Sequence, residues 1–136
     1  VVLPNPENSL EVLAVKRPST DASLGGVWGL PSIVVEEGEL PEAAVIRLGI
    51  EKLSTDIEAD SYMGIARIER PDHELILMDI QATLHGPAPS VETATTKGIK
   101  FVDQQWVSDY SIFIEAASKG SLCTRIFLES KGIAWE

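Results

Sequence analysis

Alternation of apolar and polar positions is clearest between Glu74 and Leu84. Ile76, Met78, Ile80, Ala82 and Leu84 fall on one face of an extended chain, with Leu75, Leu77, Asp79, Gln81 and Thr83 on the other. A period of two predicts a strand, and apolar residues on both faces predict a central one covered on two sides. Leu10 to Lys16 is a second apolar-rich run behind the turn residues Asn5-Pro6-Glu7-Asn8, predicting a strand paired in a hairpin with residues 1–4. Arg17-Pro18 ends it, and a polar loop from Ser19 to Gly26 leads to Trp28. Ile33-Val34-Val35 is β-branched and predicts a short strand. Ile57 to Ile68 predicts a strand broken at Gly64, with Arg70-Pro71-Asp72-His73 as the following turn. Phe101 to Val107, ending on Trp106 and Val107, predicts the last strand.

Helical signals are confined to two regions. Pro41 suits a first helical position, and acidic Glu39 and Glu42 suit the positive end of the helix dipole. The predicted helix runs from about Leu40 to Leu53, despite Gly49, which costs it roughly 1 kcal/mol relative to Ala. Ser108-Asp109-Tyr110 caps a terminal helix over Ile112–Ala117, followed by further turns over Ser121–Ser130 after Gly120. Strands interleaved with mid-chain and terminal helices predict an α/β fold, a mixed sheet with helices on both faces, in a single domain over residues 1–136.

Composition narrows the function classes. A formal charge of -10 argues against gripping a nucleic-acid duplex by counterion release. One cysteine, Cys123, excludes an internal disulfide and fits a reducing compartment. No apolar run approaches the ~20 residues of a membrane span, and no leader sequence is legible. A cytoplasmic location is therefore expected.

Candidate chemistry lies between Trp28 and Ser54. The segment reads Trp28-Gly29-Leu30-Pro31, then Glu36-Glu37-Gly38-Glu39-Leu40-Pro41-Glu42-Ala43-Ala44, then Arg47 and Glu51. It resembles the Nudix box, G-x5-E-x7-R-E-U-x-E-E-x-G-U, where U is aliphatic. In register, the first Glu of that pattern falls on Glu39, its Arg on Arg47 and one late Glu on Glu51. The opening Gly falls on Ile33, the Glu after the Arg on Leu48, the last Glu on Lys52 and the closing Gly on Ser54. The resemblance implies a Nudix-like α/β/α sandwich whose box, a loop-helix-loop, holds Mg²⁺ or Mn²⁺ against a diphosphate. It also implies catalytic roles for Glu39, Arg47 and Glu51 and metal ligation by Glu51 with help from Glu39 or Glu36. As substrate-binding candidates, Arg17 at a strand end either reaches a substrate anion or caps the strand in solvent, and Trp28 either stacks a nucleobase or is a wall of the cleft or a packing anchor.

Residues i, i+3 and i+4 share a helix face, so positions 48, 51 and 52 are expected to project together. Three carboxylates there would need a cation among them; this chain presents Leu48, Glu51 and Lys52. A like-charge pair ~4 Å apart at an effective dielectric of ~20 is worth about 4 kcal/mol, so Lys52 opposes a metal beside it. Glu39 and Glu36 are the loop oxygens available as substitutes. Glu92, Asp79 and Asp103 are the further acids able to complete a metal site, and spacing selects none of them. His73 and His85 sit at turns without partners at metal-ligand spacing.

Two functions stay open. One is a Nudix-type hydrolase of a nucleoside diphosphate linked to another moiety, weakened by the missing carboxylates. The other is a catalytically silent Nudix-fold module binding a nucleotide-like ligand or a protein partner. The partner class expected first is a small-molecule nucleotide diphosphate derivative, and both functions leave room for a homodimer.

Overall fold

Asn5 and Asn8 bend the chain back on itself, their side-chain oxygens accepting from the amides of Glu7 at 3.0 Å and Leu10 at 3.1 Å. The computed structural model, which describes residues 1–136, thereby places β1 (Pro4–Asn5) against β2 (Asn8–Lys16) as an antiparallel hairpin. β2 also pairs with β3 (Trp28–Gly29) and, from Val12↔Val107 to Lys16↔Asp103, with β6 (Asp103–Val107). β4 (Ile57–Glu69) and β5 (Glu74–Leu84) form a long antiparallel arm. The two ladders meet where Val2 bridges Gln81 in parallel, with Val2 N donating to Ile80 O at 2.8 Å and Ala82 N to Val2 O at 2.9 Å. The mixed character of the sheet lies in that seam.

The α1 helix (Pro41–Lys52) covers one face. Its Val45 and Leu48, with Leu53 beyond its end, pack on Leu3, Leu13, Val15, Ile57, Ile80 and Phe101. The other face carries Val12, Ala14, Leu30 and Val107. They meet a 3-10 turn (Tyr110–Phe113), α2 (Ile114–Ser118) and α3 (Leu122–Ser130), with Phe113 edge-on to Phe127 at 5.6 Å. Asp109 caps that region as its sequence predicts, accepting from Ser111 N. Helix, sheet and helix are thus layered as expected.

Three expectations need correction. Gly64 does not break β4; it sits at a shift of register against Asp79, and the ladder continues to Glu69. β5 is not covered along its whole length. A strand of 11 residues spans roughly 36 Å whereas a helix of 12 residues spans about 18 Å, so the arm outruns its helices and leaves Ile65, Ile76 and Met78 exposed. Ile33-Val34-Val35 is not a strand, and Val34 is 82% exposed. Its carbonyl bonds Arg47 rather than a neighbouring strand.

Candidate functional site

The box folds around Arg47. This residue leaves α1 half-way along, and its guanidinium reaches back over the loop before the helix. Nε donates to Glu39 Oε2 and Nη2 to Glu39 Oε1, both at 2.9 Å, while Nη2 also donates to Val34 O at 2.7 Å. Nη1 lies 3.6 Å from Glu36 Oε1 and 3.6 Å from Glu51 Oε2. Gly38, at φ +78°, supplies the left-handed turn that brings Glu39 back to Glu36, whose amide also donates to Glu39 Oε1 at 3.1 Å. These bonds from Arg47, and then the Glu36 amide, hold the Glu39 carboxyl down at about 2. Reciprocally, Glu39 raises the Arg47 pKa.

Positions 48, 51 and 52 do not project together into a pocket. Leu48 is fully buried and belongs to the core beneath α1. Glu51 is a third exposed and turns toward Arg47. Lys52 runs inward: it is 8% exposed, its ammonium lies 5.0 Å from the Phe101 ring centroid, and Nζ donates to Ser32 O at 3.1 Å. Burial, and then the cations Arg17 and Arg47, bring its pKa down to about 8 against the opposing pull of Glu51. The helix ends at once afterwards. Ser54 takes the left-handed φ of +53° where the pattern has Gly, and Thr55 N bonds Gly49 O at 3.0 Å.

Arg17, at the end of β2, donates from Nη2 to Ser32 Oγ at 2.9 Å and from Nη1 to Asp21 Oδ2 at 3.1 Å. Asp21 in turn accepts from the amides of Ser23 and Leu24, which with Arg17 hold its carboxyl at about 2 against the opposing effect of burial. Ser32, invisible as a functional residue in the sequence, is therefore the meeting point of two cations. A cleft of about 1170 Å³ opens nearby between Pro18 and Thr20–Ala22 on one stretch of chain and Pro89–Glu92 and Gly98–Gln104 on two others. Its lining includes Asp21, which Arg17 holds, and Phe101, against which Lys52 lies.

The other candidates scatter. Glu92 and Asp103 border this cleft, the first accepting from Lys100 Nζ through its carbonyl, the second accepting from Gln104 N. Asp79 is fully buried on β5, with neither carboxylate oxygen hydrogen-bonded and the Val1 ammonium 3.7 Å away. Trp28 does not line the cleft; it is half-buried against the core under the C-terminal helices, with Lys16 5.9 Å from its ring. The loop that carries Thr95 and Thr96 is fastened to the box, the amides of both donating to Glu51 O.

A divalent ion needs several oxygen donors, commonly one or two free carboxylates. The residues here do not fit one. Both Glu39 oxygens are engaged by Arg47, position 48 is in the core, and position 52 brings an ammonium. No group of three His, Cys, Asp or Glu side chains is disposed to hold a metal ion. The cation that joins Glu36, Glu39 and Glu51 is a guanidinium.

No protein-family model matches the chain, and no curated protein does. Solved structures do resemble it along nearly its full length. A MutT protein from Methanosarcina mazei Go1 matches at TM-score 0.64 and 17% identity, over 96% of this chain and 91% of that one. A C. elegans Ap4A hydrolase matches at 0.62 and 14%, over 96% and 92%. An ADP-ribose pyrophosphatase from Streptococcus suis 89-1591 matches at 0.60 and 16%, over 99% and 91%. A MutT NUDIX hydrolase from Burkholderia pseudomallei matches at 0.58 and 20%, over 79% of each chain. Layer order, the helix carrying Arg47 and the terminal helices agree with the expectation drawn from the box, and the fold of this chain is the Nudix fold.

Proposed function

We propose that this chain is a Nudix-fold module that binds a small, nucleotide-like diphosphate derivative in the cleft lined by Asp21 and Phe101 without hydrolysing it through a metal ion. The observation that carries this reading is the pair Leu48 and Lys52: one is locked in the core, the other points a cation at Ser32. Metal-assisted attack of water on phosphorus needs an ion to gather charge at the diphosphate, and this donor set offers such an ion poor coordination. Binding needs less: an open cleft of about 1170 Å³ whose lining combines apolar Phe101 with polar Thr20, Ser90 and Lys100.

The hydrolase reading has one observation in its favour. Glu39, Arg47 and Glu51 keep the register of the box, and the Glu51 side chain stays about a third exposed. Incubation with ADP-ribose or diadenosine tetraphosphate in millimolar Mg²⁺ and Mn²⁺ separates the two. The binding module shows a ligand-dependent rise in melting temperature and intact ligand by chromatography. Metal-dependent release of a nucleoside monophosphate overturns that reading in favour of the enzyme, and absence of any thermal shift with these ligands overturns it as well.

A further inference from the structure

Ser32 is approached by two cations from two elements, Arg17 on its hydroxyl at 2.9 Å and Lys52 on its carbonyl at 3.1 Å. They differ in how their charge is met. Arg17 is neutralised by Asp21 at 3.1 Å. Lys52 is not: its only hydrogen bond is to Ser32 O, and its one charged neighbour of opposite sign, Glu51, is held by Arg47. An ammonium has three donors, so two remain unused on a side chain that is more than nine-tenths buried. Burying an unneutralised charge with unused donors is costly. In a chain whose net charge is -10, such a local excess of positive charge stands against the overall field. The ammonium lies against Phe101, and Arg17 against Asp21, and Phe101 and Asp21 both line the cleft, so the two cations stand directly behind its wall.

We propose that Lys52, seconded by Arg17, takes over the place of the divalent ion: a phosphate group of the ligand bonds directly to the Lys52 ammonium, so that binding is independent of metal. This rests on the cleft lined by Asp21 and Phe101 being a diphosphate site. A phosphate oxygen accepts the donors that Lys52 leaves unused and supplies the negative charge that Glu51 withholds. Charge-assisted bonds of this kind are among the stronger ones available to a protein. A lysine serves as a point charge, whereas the planar fork of Arg17 fits a second oxygen.

Calorimetric titration of the full chain with inorganic pyrophosphate and with ADP, each in EDTA and in millimolar Mg²⁺, tests this. The expected result is a dissociation constant that agrees between the two buffers to within about twofold. Lys52→Gln is expected to weaken binding by roughly tenfold or more, the size of one lost charge-assisted contact. Lys52→Arg is expected to restore most of it, and melting curves of both variants establish that each is folded. Binding that requires Mg²⁺, or that is unchanged in folded Lys52→Gln, overturns the role of Lys52 and leaves the binding module standing. Absence of binding by the wild-type chain in either buffer overturns both.

Discussion

Arg47 grips Glu39 through two parallel N–H···O bonds of 2.9 Å while its Nη2 also holds the Val34 carbonyl, so one side chain ties the middle of α1 to both ends of the loop before it. A fork of this shape is specific to arginine. Arg47→Lys keeps the charge but cannot make the three bonds together, and it is expected to lower the melting temperature and to speed amide exchange at Glu36 and Glu39. Unchanged exchange in a folded variant would mean that the loop holds its own shape.

The same pair sets a pH dependence at the acid end. The Glu39 carboxyl titrates at about 2 in the folded chain, below its ordinary 4.5. A depressed folded pKa means that the unfolded chain binds more protons between the two values. The contribution is fully present above pH 4.5 and is lost as pH falls through 2. Glu39→Gln is expected to flatten the acid limb of a stability-against-pH curve over that window, and proton NMR of the carboxyl resonance would locate the titration directly.

Restoring the acidic residue of the box at position 48 is expected to unfold the protein rather than awaken it. Leu48 is fully buried among Val15, Ile57, Ile80 and Phe101. A carboxylate placed there without a partner costs on the order of 3–5 kcal/mol, a large share of the ~5–15 kcal/mol by which domains are stable. Leu48→Glu is expected to shift the urea midpoint strongly downward, and the pair Leu48→Glu with Lys52→Glu to fare no better. A folded double variant that binds Mn²⁺ would show that α1 can rotate its 48–52 face out of the core.

Layering was legible because it depends on periodicity: β5 alternates, α1 opens on Pro41, and both form where the pattern places them. The pairing of Arg47 with Glu51 was legible for the same reason, since the two stand four residues apart on one helix, whereas the grip of Arg47 on Glu39, eight residues back across a loop, was not. The direction of positions 48 and 52 was not. A helix wheel says which residues share a face; whether that face meets solvent or core is decided by Phe101 and Ile57, residues far off in sequence. Ser32 gave no local signal at all, because its importance comes from side chains arriving from β2 and from the end of α1. The Ile33–Val35 run misled through β propensity, which reports a fit to a half-buried pleat that this loop never enters.

Gly49 and Ser54 carry opposite predictions at the end of α1. A Cβ on Gly49 would sit 2.8 Å from Ile57 Cγ1 and 2.8 Å from Thr55 O, one of them backbone that cannot yield. The ~1 kcal/mol that alanine gains in helix propensity is therefore outweighed by overpacking, and Gly49→Ala is expected to cost a net amount on the order of 1 kcal/mol. Ser54 holds the left-handed conformation that glycine adopts without penalty, so Ser54→Gly is expected to gain up to about 1 kcal/mol. It forfeits only an exposed bond from Thr93 Oγ1 at 2.7 Å. Chemical denaturation of the two variants side by side checks both signs.

Asp79 supplies a stability cost of its own. Its carboxylate is fully buried, neither oxygen accepts a hydrogen bond, and burial raises its pKa above 3.8 although the Val1 ammonium at 3.7 Å pulls the other way. A raised folded pKa means that the folded chain binds more protons than the unfolded chain above pH 3.8, so stability falls as pH rises through the folded value. Asp79→Asn removes the charge and keeps the shape. It is expected to raise the melting temperature at pH 7 and to lose that advantage as pH falls toward 3.8. An advantage that is the same at pH 4 and pH 7 would show that the gain comes from packing rather than from the buried charge.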